Sequence, residues 1–218
     1  MTIKQQALYI ALFVSALGMA WFFPQTLDLP VHHALQAIHN PLAEHIWDGV
    51  AHFGNGWVIV PSCLVVIGIG YWRRQELIQQ VGIRCLGAYA ISGIAAQGFK
   101  HLLGRPRPRL IEDPTAHWGP SFASGFDAFP SGHTTCAFAL AAVLSHIYPR
   151  WRIMFFVLAY LVATARVVRG SHWITDVIAG ALLGTMCGVW IATAEWRNMA
   201  FARTSIPGVK TSQSSVQK

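Results

Sequence analysis

Charge is scarce in this chain: 11% of its 218 residues are Asp, Glu, Lys or Arg, and only nine are acidic. A soluble domain draws about a quarter of its residues from those four types. Hydrophobic residues make up 54%, with nine Trp and twelve Phe, so the polar surface of an ordinary water-soluble fold is missing. Cysteine is equally sparse. Cys63, Cys85, Cys136 and Cys187 fall inside apolar runs at wide spacing, which argues against a disulfide framework or a paired-cysteine metal site and leaves them as small buried residues. No internal repeat is present, and composition turns polar only near residue 196. The expected organisation is one membrane-embedded unit over 1–195 followed by a polar cytoplasmic tail over 196–218. The net charge of +7 is spread in twos and threes between hydrophobic runs. That pattern lacks the basic stripe with exposed aromatics of a nucleic-acid surface.

A helix crosses the hydrocarbon core with about 20 apolar residues, or somewhat fewer when aromatic anchors flank it. Six segments meet that measure loosely, at 7–23, 56–72, 79–99, 133–148, 152–168 and 173–194. The first follows Lys4 and contains Gly18-Met19-Ala20, which resembles a signal-peptide cleavage site, but its apolar run continues into Trp21-Phe22-Phe23 and favours a retained helix. Residues 29–53 place apolar side chains at helical spacing with histidines between them, as in a helix lying on the membrane. The expected fold class is all-α: a polytopic bundle of six transmembrane helices with an interfacial helix after the first span.

Lys and Arg in short loops set the orientation. With Lys4 inside, the same side receives Arg73, Arg74, Arg150, Arg152, Arg197, Arg203, Lys210 and Lys218, while the loop over 24–55 has neither Lys nor Arg. Both termini are then cytoplasmic. Lys100, Arg105, Arg107, Arg109, Arg166 and Arg169 break the pattern by falling on the outer side. Snorkelling accounts for one or two such residues, not for six on two connections. A site that holds an anion accounts for the set.

Three stretches meet on that face. In KHLLGRPRP, Lys100 offers a mobile point charge and Arg107 a planar fork of donors suited to phosphate oxygens, with prolines stiffening the connection. In FPSGHTT, Ser131 is a natural N-cap, Gly132 permits close backbone approach, and the free N–H groups of the helix that follows make an anion seat. His133 then lies in the first helical turn, within reach of an atom attached to the held anion. In ARVVRGSHWITD, His172 and Asp176 are four apart at the start of the last helix. The carboxylate can accept one ring N–H, which fixes the tautomer and leaves the other nitrogen as a nucleophile. Arg166 can return to the same anion from the preceding helix. Alone, each stretch has a plainer reading: a basic turn, a capping histidine, and an aspartate paired with Arg169.

Taken together, K-x6-R-P at 100–108, P-S-G-H at 130–133 and R-x5-H-x3-D at 166–176 resemble the motifs of the type 2 phosphatidic acid phosphatase superfamily, in its integral-membrane branch. The resemblance implies that His172 attacks phosphorus to form a phosphohistidine while Asp176 stabilises the developing imidazolium. His133 would protonate the leaving group and later activate water. Lys100, Arg107, Arg166, Ser131 and Gly132 would hold the phosphate oxygens without a metal or other cofactor. Ala165 stands where the family usually has Ser, which removes one phosphate hydrogen bond if the family uses it. Vanadate-dependent haloperoxidases share similar motifs but are soluble.

The partners expected are membrane lipids and a lipid phosphate or diphosphate substrate: polyprenyl diphosphate, phosphatidate, phosphatidylglycerol phosphate or a lipid A phosphate. The short chain and its charge pattern suggest a bacterial inner membrane, with the site facing the periplasm or exterior. Two other functions stay open, a phosphotransferase that passes phosphate to a second lipid or sugar, and a non-catalytic lipid-binding or transport protein. Arg105, Arg109, Arg169, Glu112, Asp113, His117 and Asp127 read as solvated loop residues. His32, His33, His39, His45 and His52 do not converge with carboxylates on one helix face, and read as interfacial side chains rather than metal ligands.

Overall fold

The computed structural model describes residues 3–37, 40–110 and 117–194, and the described residues form eight α-helices and no strand. They are α1 (Ile3–Phe22), α2 (Leu29–Ala37), α3 (Pro41–His52), α4 (Gly56–Trp72), α5 (Glu76–Leu103), α6 (Gly132–Ile147), α7 (Arg152–Val168) and α8 (Ile174–Thr193). The tail expected over 196–218, together with His39, Glu112 and Asp113, lies outside the described residues.

Helices stand where the six apolar segments predict them, as α1, α4, α5, α6, α7 and α8. Among the described residues, two helices qualify as spans by length and apolarity, Pro149–Val168 and Ile174–Thr193, and treating two bent helix pairs as single spans raises the number to four. The shortfall has physical causes. α6 has 16 residues, and α5, although 28 residues long, carries Glu76, Arg84 and Lys100. The segment read as one interfacial helix is two helices, α2 and α3, and the chain turns by 95° between Gln6–Phe22 and Thr26–Ala37.

Packing inverts the pattern of a water-soluble bundle. Small residues such as Ala88, Ala139, Ala142 and Ala179 fill the interior, while Leu8, Val14, Trp57, Ile94, Ile153 and Tyr160 are exposed. That distribution suits a surface solvated by lipid, where close backbone approach replaces the hydrophobic drive. Among the described residues, Ser15, Ser62 and Thr185 donate their hydroxyls to carbonyls four residues back, so these polar groups need no water.

The α6–α8 contact sets the position of the site. On α8, Gly180, Gly184 and Gly188 face α6. A Cβ on Gly184 would fall 2.1 Å from the Thr135 carbonyl oxygen, and one on Gly188 2.3 Å from that of Ala139. Only glycine lets the two backbones meet so closely. The helices are further joined where the Ser131 N–H donates to the Asp176 carbonyl at 3.0 Å. The first turns of α6 and α8 therefore lie side by side.

Candidate active site

Each element end delivers one part of the site. α5 stops at Gly104, whose left-handed φ of 52° and close approach to the Gly119 carbonyl both require glycine. Lys100, in its last turn, is thereby buried, with its side-chain end about 3.7 Å from where a Cβ on Gly132 would stand. The ammonium thus sits against the N-terminus of α6. There Ser131 is the N-cap residue by backbone conformation, but its side chain makes no cap bond and accepts instead from Thr134 Oγ1 at 3.0 Å. The first intrahelical bond runs from the Thr135 N–H to Ser131, which leaves the Gly132, His133 and Thr134 N–H groups ahead of the helical ladder. His133 packs beside Gly54, at the turn between α3 and α4.

The chain between α7 and α8 folds back tightly. Gly170 takes φ of 58°, and the Ser171 and His172 N–H groups donate to the Arg166 carbonyl at 3.1 and 3.2 Å. Arg166 is buried, and its Nε is without a hydrogen-bond partner. The sequence placed His172 at the start of the last helix, and in the fold it lies just ahead of α8. Its Nδ1 donates to the Ala128 carbonyl at 2.8 Å and stands 3.5 Å from Asp176 Oδ2. A carbonyl can only accept, so Nδ1 carries the proton and Nε2 of the neutral ring has the lone pair. The tautomer that the sequence reading assigned to Asp176 is held foremost by a main-chain oxygen. Burial pushes the His172 pKa down to about 4, against the opposing pull of Asp176, with Arg166 and Arg107 adding to the depression. The ring is therefore neutral near pH 7.

Asp176 is fully buried. It accepts from the Trp173 N–H at 2.8 Å and from the Arg105 guanidinium. The reading of Arg105 as a solvated loop residue is overturned: it is 2% exposed, bridges Asp176 and Asp28, and lies over the rings of Trp118 and Trp173 at 5.0 and 5.6 Å. Asp127 also differs from that reading. It is half-buried and takes both hydrogen bonds of the Arg107 fork, at 2.8 and 2.7 Å, with Lys100 Nζ 3.6 Å away. Although burial alone would raise the Asp127 pKa, Arg107 and Lys100 hold it below the ordinary value. Arg169, the alternative partner of Asp176, instead pairs with Asp48 on α3.

All eight residues selected from the sequence, Lys100, Arg107, Ser131, Gly132, His133, Arg166, His172 and Asp176, gather at this end of the bundle. His133 lies within electrostatic reach of Lys100, Arg107, Arg166 and His172. Asp28, Thr175 and the Ala128 carbonyl were not foreseen. For Asp28 the available signal was an acid set between Leu27 and Leu29 in a chain with few acids. A cavity of about 610 Å³ opens beside Lys100, Gly132 and His133, with Tyr89, Ala90 and Ile94 along its α5 wall. Among the described residues, no three His, Cys, Asp or Glu side chains could together hold a metal ion.

The arrangement defines a helical membrane protein whose cationic pocket can hold an anion beside an oriented imidazole. Residues 82–200 match the PAP2 superfamily, and the chain belongs to that family. It is 31% identical over 154 residues to a lipid A 1-phosphatase of Rhizobium johnstonii, covering 65% of this chain and 63% of that protein. To a lipid A 1-phosphatase of Rhizobium etli it is 30% identical over 194 residues, 83% of this chain and 80% of the relative. The fold is shared with the crystal structure of a transmembrane PAP2-type phosphatidylglycerolphosphate phosphatase from Bacillus subtilis. That likeness has a TM-score of 0.69 and 22% identity over 94% of this chain and all of the other.

Proposed function

We propose that this protein removes phosphate from a lipid phosphate or diphosphate at the outer face of the membrane through a phosphohistidine on His172. The observation that carries the proposal is the Nδ1 bond from His172 to the Ala128 carbonyl, which leaves Nε2 unprotonated on a ring within electrostatic reach of Arg166 and Arg107. In the first step Nε2 forms a bond to phosphorus as the bond to the leaving oxygen breaks, and His133 supplies the proton that oxygen needs. In the second step His133 takes a proton from water, whose oxygen attacks phosphorus and releases His172 and free phosphate. Lys100, Arg107, Arg166 and the α6 N-terminus stabilise the charge spread over the three phosphoryl oxygens. Asp176 stabilises the imidazolium while it exists.

An amphiphilic substrate fits the surroundings. The cavity beside Lys100 and His133 has an apolar α5 wall, so a chain can remain in lipid while its phosphate reaches the α6 N-terminus. Both rhizobial relatives are named for lipid A, which makes a lipid A 1-phosphate the first substrate to try. The expected topology has six spans, α1, α4, α5, α6, α7 and α8, with both termini cytoplasmic. The distribution of Lys and Arg supports it.

The test is phosphate release by the detergent-purified protein in excess EDTA, across phosphatidate, phosphatidylglycerol phosphate, a polyprenyl diphosphate and lipid A. Release from at least one lipid is expected, with His172→Ala folded but inactive. Transfer of phosphate to a second lipid or sugar would replace hydrolysis by a phosphotransferase reaction. Binding without either product would leave a lipid-binding protein, and an active His172→Ala would remove the nucleophile assignment.

A further inference from the structure

Behind Asp176 lies a second buried carboxylate. Asp28 closes the short turn after α1 and is 1% exposed, although it is 147 residues from its partner Thr175. It accepts from the Thr175 N–H at 3.1 Å and lies 2.8 Å from the Thr175 hydroxyl through Oδ2. It also accepts from Arg105 at 2.5 Å. Arg105 reaches Asp176 and the Thr175 hydroxyl with its other terminal nitrogen. The main chain of Arg105 joins the same unit, since its carbonyl accepts from the N–H of Ala128, whose own carbonyl holds His172.

Two carboxylates share one guanidinium, so the cluster has a net charge of minus one beside the buried His172. Without Asp28, Arg105 and Asp176 would form a neutral pair. A neutral pair does little for a positive charge developing on the neighbouring ring, whereas a net anion in a low-dielectric site stabilises it. Arg166 and Arg107 both act against a cationic His172, which makes the surplus negative charge consequential.

We infer that Asp28 is a positioning residue for the phosphoryl-transfer step. Through Arg105 it fixes the orientation of Asp176 and leaves the buried cluster anionic when His172 becomes cationic. The inference rests on the reading of His172 as nucleophile, and its test separates the two. Asp28→Asn keeps the shape of the side chain and removes its charge. Kinetics are measured on the full-length protein in detergent, with whichever of phosphatidate, phosphatidylglycerol phosphate, polyprenyl diphosphate and lipid A gives the highest wild-type rate.

The expected result is a drop in kcat of about tenfold, the scale of coupling between directly bonded neighbours, with KM changed less than about twofold. In an Asp176→Asn background the same substitution should add little, because its effect passes through that carboxylate. Unchanged kcat in Asp28→Asn, or an equal loss in both backgrounds, would overturn the inference. So would a parallel shift of KM and kcat with a lowered melting temperature. Should Asp28→Asn fail to fold, Thr175→Val removes the hydroxyl contact at similar shape. Lowered kcat at constant KM supports the inference there, while unchanged kcat or loss of fold in both variants defeats it. An active His172→Ala would instead defeat the site reading beneath it.

Discussion

On one side of the site His172, Asp176, Arg105 and Asp28 are sealed in the protein and joined by hydrogen bonds. On the other, Arg107 and Lys100 share the half-buried Asp127, whose side chain remains 32% exposed. The first half has its geometry built into the fold, and the bonds of His172 to the Ala128 carbonyl, of Asp176 to the Trp173 N–H and of Asp28 to the Thr175 N–H run to backbone groups that cannot swing away. The second half holds its positive charge against an internal carboxylate, which under the proposed mechanism an incoming phosphate displaces. Orientation is thus fixed in the dry half, and affinity is left adjustable in the wet one.

The largest test of this contrast is Asp176→Asn. It should lower kcat by about 10²- to 10³-fold, as for other losses of preorganised electrostatic stabilisation, while the protein stays folded by circular dichroism. A variant that merely loses thermal stability would make the dry half structural. On the wet side, Arg107→Lys should raise KM by about tenfold, the scale of one charge-assisted hydrogen bond, because an ammonium cannot reproduce the fork. Its kcat should change less, and a full kcat effect with constant KM would erase the division between the halves.

A smaller effect is expected for Asp127→Asn. Release of Arg107 and Lys100 should tighten inhibition by inorganic phosphate or vanadate by about threefold to fivefold, the strength of a partly exposed ion pair. Weaker inhibition would mean that Asp127 aligns the Arg107 fork instead of competing for it. A separate effect is in stability against pH. His172 has a folded pKa near 4 and an ordinary value of 6.5, so the unfolded chain binds its proton first on acidification. Its contribution is intact above about pH 6.5 and is lost as pH falls toward about 4. The depressed Asp127 pKa adds stability that is present above the ordinary 3.8 and lost below it. Melting temperatures measured from pH 7 to 4 should therefore fall more steeply in wild type than in His172→Asn, and parallel curves would contradict the burial of a neutral ring.

How far the sequence reached depends on the kind of signal. Its apolar runs located α1, α4, α5, α6, α7 and α8, because helical hydrophobic segments are local features of a chain. Their assignment as spans was less legible, since α5 dilutes its apolarity with charge and α6 is short. Within GRPRP the sequence reading left Arg105 as a solvated loop residue and gave a phosphate role to Arg107. Two residues apart, one turns inward to Asp28 and Asp176 and the other meets Asp127.

By itself, the sequence determined the helical membrane class and singled out eight residues that the fold brings to one end of the bundle, because residue type, order and short spacing express both directly. Tertiary structure decided which groups hold those residues. The Ala128 carbonyl has no signature in residue type, and Asp28 meets Thr175 across 147 positions of chain. Only the close glycine-mediated packing of α8 on α6, with the turn after α1 folded against it, makes the surroundings of His172, because buried polar groups must find partners wherever the fold supplies them.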